Sequence, residues 1–315
     1  MAPETARAQD AASSASPPLD EVVFESPSVM VGAFRCPLSH PSFRDSGPIQ
    51  NHIFVFPRHS VGLCHEGGQP FLADPSIVTL YNRGQRYTRS AMSAWGDRCE
   101  WFAVRGTLLL DFVRRHDPGI EDRPERPFRH AYGPCHPRTY LAQRALFERM
   151  RTASAIEPLE VEETVVDLLG QVLLASYAFW GAPLSARAPT PGQLDAARRA
   201  GRLLEERLDE SLHLEQIARA VGLSSFHLCR TFRAATGSTL HAYRNRARLH
   251  ESLSRLADGE DLTEIGLSLG FSSHSHFTSA FRRLFGLTPS EARRRLRGSF
   301  PGGRHMGCSG GCCRE

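Results

Sequence analysis

A chain of 315 residues has room for two domains that each bury a core of their own. With 23% charged residues and a formal net charge of only +4, it is neither a disordered polyelectrolyte nor strongly acidic overall. Its 38 basic residues are all Arg, and they gather toward the C-terminus: from Ser211 to Arg297 there are 13 Arg against 7 Asp and Glu, a net of +6. A positive final third on a near-neutral body points to a polyanionic partner there.

In chain order, residues 1–18 are rich in Ala, Ser and Pro. They lack the basic start and apolar middle of a signal peptide and read as a disordered leader on a cytoplasmic protein. From about residue 20 to 115 short apolar or alternating stretches, such as His52 to Phe56, Ile77 to Tyr81 and Trp101 to Val104, are punctuated by Pro and Gly. Strands at this spacing predict a small barrel or sandwich. Residues 137–152 turn helical. A second helix from about Leu159 to Trp180 carries Val161, Val165, Leu168, Leu169, Val172 and Leu173 at helical spacing. Asp167, Gln171 and Ser176 interrupt it, so it reads as a buried helix with a face to spare for a partner subunit, and no membrane segment is expected. Residues 182–192, with Pro183, Pro189 and Pro191, read as a linker.

From residue 193 to 298 the pattern is helical and repeats itself. One unit runs Leu214, Ile217, Ala218, Val221-Gly222-Leu223-Ser224, Leu228, Phe232, Gly237; the other runs Leu262, Ile265, Gly266, Leu269-Gly270-Phe271-Ser272, Phe277, Phe281, Gly286. The positions are 48 apart through the first helix and turn and 49 afterwards, so the second turn holds one extra residue. Each unit predicts a short helix, a Gly-containing turn and a second helix opening at Ser224 or Ser272, which is helix-turn-helix organisation.

At about 100° per residue, placing Leu228 inward carries Thr231, Phe232 and Ala235 inward with it. Phe226, Arg230 and Arg233 then lie outward, with Cys229 beside them. Placing Phe277 inward puts Ala280, Phe281 and Leu284 in the core and turns Ser275, Ser279 and Arg282 outward, flanked by Thr278. Arg, short polar groups and an exposed aromatic suit the major groove, where Arg reads guanine and apolar groups meet thymine methyls. A helix from Leu240 to Ala257 would join the two units.

The stretch Gly270-Phe271-Ser272-Ser273-His274-Ser275-His276-Phe277, followed by Phe281-Arg282-Arg283-Leu284-Phe285-Gly286-Leu287-Thr288-Pro289, closely resembles the signature of AraC/XylS transcription regulators. That resemblance implies a seven-helix domain on double-stranded DNA. By position it implies base-facing roles for Phe226, Cys229 and Arg230 in the first helix and for His274, Ser275, Thr278 and Ser279 in the second. Arg233, Ser273 and Arg282 would meet phosphates. Many relatives carry Arg at the place of Ser279, so the second helix is expected to position more than it reads.

Phe54-Val55-Phe56-Pro57-Arg58, Ala73-Asp74-Pro75, Tyr81 to Tyr87 and Gly96-Asp97-Arg98-Cys99 resemble the N-terminal domain of one group of these regulators. They imply an α+β protein: a cupin-like β-barrel with a helical dimerisation segment over residues 19–181, then the all-α domain. The expected partners are DNA, a second copy in a homodimer, a small-molecule effector, and RNA polymerase if the protein is an activator. No cofactor is expected.

His52, His59 and His65 with Glu66 lack the His-x-His spacing of a cupin metal site and read as turn and surface residues. Residues 299–315 form a flexible tail in which His305, Cys308, Cys312 and Cys313 are candidate soft-metal ligands; a metal- or thiol-responsive regulator is the alternative they raise. A DNA-repair enzyme with the same helical module is a further alternative. Its N-terminal cysteine cluster is missing, since Cys36, Cys64, Cys99 and Cys135 stand apart. With no paired nucleophile and base in view, the chain is not expected to be an enzyme.

Overall fold

The computed structural model describes residues 19–92, 94–152, 156–181, 190–210 and 212–297, with Phe226 described by its backbone alone. The expected leader, residues 182–189 of the expected linker, and the tail with His305, Cys308, Cys312 and Cys313 lie outside the described residues.

The N-terminal half holds ten strands among the described residues: β1 (Asp20–Glu25), β2 (Val29–Cys36), β3 (Asp45–Ser46), β4 (Ile53–Pro57), β5 (Val61–His65), β6 (Phe71–Ala73), β7 (Ile77–Tyr81), β8 (Tyr87–Ala91), β9 (Asp97–Val104) and β10 (Tyr132–Pro134). They form a six-stranded sheet in the order β1-β2-β9-β4-β7-β10 and a four-stranded sheet in the order β3-β8-β5-β6. The strands therefore make two hydrogen-bonded sheets rather than one closed cylinder. Three helices follow or interrupt the strands: α1 (Gly106–Arg114), α2 (Pro137–Thr152) and α3 (Pro158–Gly181).

Side chains alternate across a strand, and the register puts that alternation to use. Phe54 of β4 stands opposite Phe102 of β9 on one side and Leu80 of β7 on the other. These three join Val29, Val31, Phe56, Val78 and Val104 in one buried cluster with apolar residues of α2 and α3. The residues between them, including Val55, Tyr81 and Trp101, cluster instead with Val61, Leu63 and Tyr87 of the other sheet. A cavity of about 490 Å³ opens between the two sheets, walled by Met30, Phe34, Thr79, Tyr81, Tyr87 and Trp101.

Helix α3 departs from the expectation drawn from its polar interruptions. At 24 residues, with a mean hydropathy of 1.3 in its most apolar window, it is long and apolar enough to cross a membrane by length and composition. Two of its three interruptions serve lateral bonds: Gln171 Oε1 accepts from Thr139 Oγ1 at 2.7 Å, and Ser176 Oγ donates to the Tyr132 carbonyl at 3.3 Å, while Asp167 is exposed. Val161, Val165, Leu168, Leu169, Val172 and Leu173 are buried, while Leu159, Leu174 and Phe179 are 57%, 62% and 40% exposed. The covered face is apolar, the outward face carries exposed Glu163, Asp167 and Gln171 beside Leu174, and Phe179 continues the covered side at the helix end.

Histidines 59 and 65 correct the surface reading. His65 is buried between Phe71, Tyr81 and Tyr87, and half-buried His59 stacks on Trp95 with ring centroids 5.7 Å apart. Desolvation lowers the pKa of His65 to about 4 and, with the nearby Arg58 and Arg98 charges, that of His59 to about 3. Among the described residues no group of three or more His, Cys, Asp or Glu is placed to hold a metal ion.

The C-terminal half contains seven helices among the described residues: α4 (Pro191–Glu206), α5 (Leu214–Val221), α6 (Ser225–Thr236), α7 (Leu240–Asp258), α8 (Leu262–Ser268), α9 (His274–Phe285) and α10 (Pro289–Leu296). Helix α4 begins inside the expected linker. Thr190 and Gln193 close a reciprocal capping box, and Pro191 occupies the first turn, where its missing N–H is no loss. A second capping box, between Thr288 and Glu291, opens α10. At α8, the Asp261 side chain accepts from the Thr263 and Glu264 N–H groups.

Gly222 and Gly270 occupy the same turn in the two units, with φ of +73° and +77°. Their surroundings differ: a Cβ at Gly222 would meet nothing within 4 Å, whereas one at Gly270 would run into the Arg248 guanidinium and lie 2.9 Å from the Asp209 carbonyl oxygen. Gly222→Ala should therefore cost about 1 kcal/mol, the left-handed backbone penalty alone. Gly270→Ala should cost at least about 2 kcal/mol, because overpacking adds to that penalty. Denaturant melts of the two variants that gave equal losses would contradict this difference.

Candidate nucleic-acid interface

Each helical unit seats its second helix by the same means. Leu228 and Phe232 on α6, and Phe277 and Phe281 on α9, are fully buried. Glycine in the left-handed conformation ends both helices, Gly237 with φ +68° and Gly286 with φ +78°.

The N-cap of α6 is Ser224, whose hydroxyl accepts from the His227 N–H at 3.3 Å. The cap of α9 is Ser273, accepting from the His276 N–H at 3.1 Å, not Ser272 as expected. The residue inserted in the second turn moves the cap one position along, which is what the change of offset from 48 to 49 requires. Ser273 spends its oxygen as this acceptor and keeps its O–H for donation.

The two units have separate cores strung on one rod. Leu240 and Tyr243 near the start of α7 belong to the cluster of α4, α5 and α6, and the Tyr243 ring meets Phe232 edge-on at 5.3 Å. Leu249, Leu253 and Leu256, one to three turns on, belong with Ile265, Phe277, Phe281 and Phe285 of the second unit. The 19 residues of α7 span about 28 Å, of the order of the roughly 34 Å between successive major grooves. Buried Arg248, also on α7, ties the units together: its Nε donates to the Leu208 carbonyl at 2.6 Å and its Nη1 to the Gly270 carbonyl at 2.9 Å. Desolvation lowers its pKa to about 10.

On α6, Cys229, Arg230 and Arg233 are exposed; on α9, Ser275, Ser279 and Arg282 are exposed. His274 and Thr278 are half-buried and turn toward each other, His274 Nε2 lying 3.3 Å from Thr278 Oγ1. Of the sites expected on the second helix, Ser275 and Ser279 are thus the open ones. The side chain of Phe226 lies outside the described residues.

His227 and His276 were not among the expected site residues. Both are exposed in the first turn of their helices, 49 positions apart, and each places Nδ1 3.0 Å from a serine hydroxyl, that of Ser224 or Ser272. The repeat offset applied to every residue, rather than to apolar ones alone, would have found them. Exposed Arg283, Arg294 and Arg295 add positive charge beyond the expected set.

Comparison with known proteins agrees with this geometry. Residues 217–295 match the family described as a helix-turn-helix domain. The chain is 37% identical over 97 residues to the HTH-type transcriptional regulator ArgR of Pseudomonas aeruginosa, and the match spans 30% of each protein. It is 35% identical over 94 residues to the regulatory protein SoxS of Escherichia coli, covering 30% of this chain and 88% of SoxS. A longer match, 26% identical over 255 residues, joins it to the HTH-type transcriptional activator RhaS of Escherichia fergusonii and covers 77% of this chain and 84% of RhaS. With a duplicated helical unit of this form and nearly the whole of SoxS matched, the chain belongs to the AraC/XylS family of helix-turn-helix regulators.

Proposed function

We propose that this protein is a sequence-specific regulator of transcription that acts as a homodimer on double-stranded DNA. The observation that carries the reading is the pairing of two equivalent helices on one rod. α6 and α9 bury matching apolar faces and leave outward pairs 49 positions apart, Arg230 and Arg233 against Ser279 and Arg282.

In this reading Phe226, Cys229 and Arg230 face bases, Arg230 supplying the bidentate contact to guanine. Ser275 and Ser279, with His274 and Thr278 behind them, read a shallower pattern on the second helix. Arg233, Arg282 and the free O–H of Ser273 hold phosphates. The working division is residues 19–181 as sensor and dimerisation domain, an open relative of a cupin-like barrel, and residues 193–298 as the DNA-binding domain. The cavity between the sheets takes a small-molecule effector, its aromatic wall suiting an apolar body. The outward face of α3, where exposed Leu174 stands beside Glu163, Asp167 and Gln171, meets the second subunit through a mixed polar and apolar surface. RNA polymerase is the further partner if the protein activates. The role is cytoplasmic and non-enzymatic, in keeping with relatives named as regulators.

Selection of duplexes from a random pool by the full-length chain tests this reading, which fails if no sequence is enriched. On an enriched duplex at fixed salt, Arg230→Ala should cost about 1–3 kcal/mol of specific binding and Ser279→Ala less. Equal losses would show that the two helices share the reading evenly.

A further inference from the structure

The turn between β4 and β5 touches both halves of the molecule. Its ends, Pro57 and Val61, line the cavity between the sheets. The residues between them reach the helical half. Arg58 donates from Nη1 to Glu100 Oε1 at 2.8 Å and from Nη2 to the Ser254 hydroxyl of α7 at 3.1 Å. Ser60 donates from its backbone N to Glu205 Oε2 of α4 at 3.3 Å, and its hydroxyl donates to Glu205 Oε1. Tyr243 of α7 donates to the same Oε1 at 2.6 Å, its oxygen lying 2.5 Å from Ser60 Oγ. Ser60 and Tyr243 are buried, so three donors converge on one carboxylate in the seam.

The two helix-turn-helix units are attached differently to the N-terminal half. The second shares a continuous apolar core with it, running from Phe56 and Tyr140 through Leu249 to Phe281 and Phe285. The Tyr140 and His250 rings meet edge-on at 4.5 Å across this junction. The first unit has a core of its own, with Leu72 of β6 packed at its margin. Buried Met92 lies beside Gly201 of α4, and the polar ties to the sheets are the Ser60–Glu205–Tyr243 node, Arg198 to the Ser90 hydroxyl at 3.4 Å and Arg246 to Asp74 at 3.7 Å.

We infer that the β4–β5 turn is a latch that couples the shape of the cavity to the position of the first helix-turn-helix unit, while the second unit stays fixed to the N-terminal half. Apolar burial is non-directional and tolerates small displacements. A cluster of converging hydrogen bonds has narrow geometric limits and opens when the turn that presents its donors moves. A ligand that spreads the sheets shifts Pro57 and Val61, and with them Ser60 and Arg58. The consequence for DNA, a changed spacing between the two readers, rests on the function proposed above; the latch itself does not.

Amide hydrogen exchange on the full-length chain tests it. Ser60→Ala and Tyr243→Phe should each lower protection in α4, α5 and α6 by about tenfold or more and leave α9 and α10 unchanged. Tyr243→Phe keeps the ring against Phe232, so it serves as the reference if Ser60→Ala folds poorly. Leu63→Phe, which adds volume on the cavity side of β5, should loosen the same three helices without touching the node. The latch is overturned if α4 to α6 keep their protection in the first two variants or if α9 and α10 loosen equally. It is likewise overturned if the effect of Leu63→Phe stays within the sheets. No duplex or effector enters this measurement, so an absence of sequence-specific binding would sink the proposed function and leave the latch result standing.

Discussion

Arg144→Ala should destabilise the protein by about 3–5 kcal/mol, because it takes from the buried Glu100 one of its two cations and from Glu148 its partner. Arg144 lies on α2 and is almost wholly buried. It donates from Nη1 to Glu100 Oε1 at 2.7 Å and from Nη2 to Glu148 Oε1 at 2.5 Å. Glu100 sits on the helix-facing side of β9, where alternation turns it into the core with Phe102 and Val104, and Arg58 is its other cation at 2.8 Å. Desolvation pushes the Glu100 carboxyl up to about 6, against the pull of Arg58.

A folded-state pKa above the unfolded one means that the folded chain holds the proton more tightly. The stability this contributes is complete below about pH 4.5 and is lost as pH rises through about 6. Removing Arg144 raises the folded value further. The loss in Arg144→Ala should therefore be larger at pH 8 than at pH 5, since at the lower pH Glu100 is neutral and needs no partner. Replacing both groups, Arg144→Met with Glu100→Gln, should recover most of the stability. Thermal melts of the two variants at both pH values check this; a loss in Arg144→Ala that was the same at pH 5 and pH 8 would remove the under-compensated Glu100 carboxylate as its cause.

Phe281→Ala should cost a similar amount, about 3–5 kcal/mol, through the cavity it leaves. Phe281 is fully buried, with ring centroids 5.8 Å from Phe277 and 4.6 Å from Phe285. Because this cluster continues into the N-terminal half, the damage should spread there: amides of α2 should lose protection together with those of α9. A loss of protection confined to α8, α9 and α10 would show that the second unit folds independently. Ser275→Ala, six residues away and exposed, should change stability by less than about 0.5 kcal/mol. A weakened duplex affinity in Ser275→Ala would then belong to the interface and not to folding.

Much of the helical half could be read directly from the residues. The spacing of Leu228 with Phe232, and of Phe277 with Phe281, assigns the inward face of each second helix, and the structure buries all four. Amphipathic periodicity is a local property, so neighbouring residues carry it. The cap of α9 was misplaced by one residue, because Ser272 and Ser273 are chemically alike and only backbone geometry separates them. His274 and Thr278 lie at positions expected to face bases, yet they spend part of their surface on each other. Helical angle gives direction but not how far a side chain is already engaged.

In the N-terminal half the strands were legible as apolar or alternating stretches. Their division into two sheets was not, because pairing joins residues far apart in the chain: Phe54 meets Phe102 across 48 positions. The uses of Ser60, Arg144 and Glu205 were invisible for the same reason.

The sequence by itself determined that two copies of one helical unit exist, which faces they bury and which family they belong to, since each of these depends on residues within a few turns of one another. Only the tertiary structure decided how the units are held: one welded to the sheets by a shared apolar core, the other tied through Ser60, Glu205 and Tyr243. That difference arises from contacts between residues some 145 or 183 positions apart, a distance over which no periodic pattern carries information.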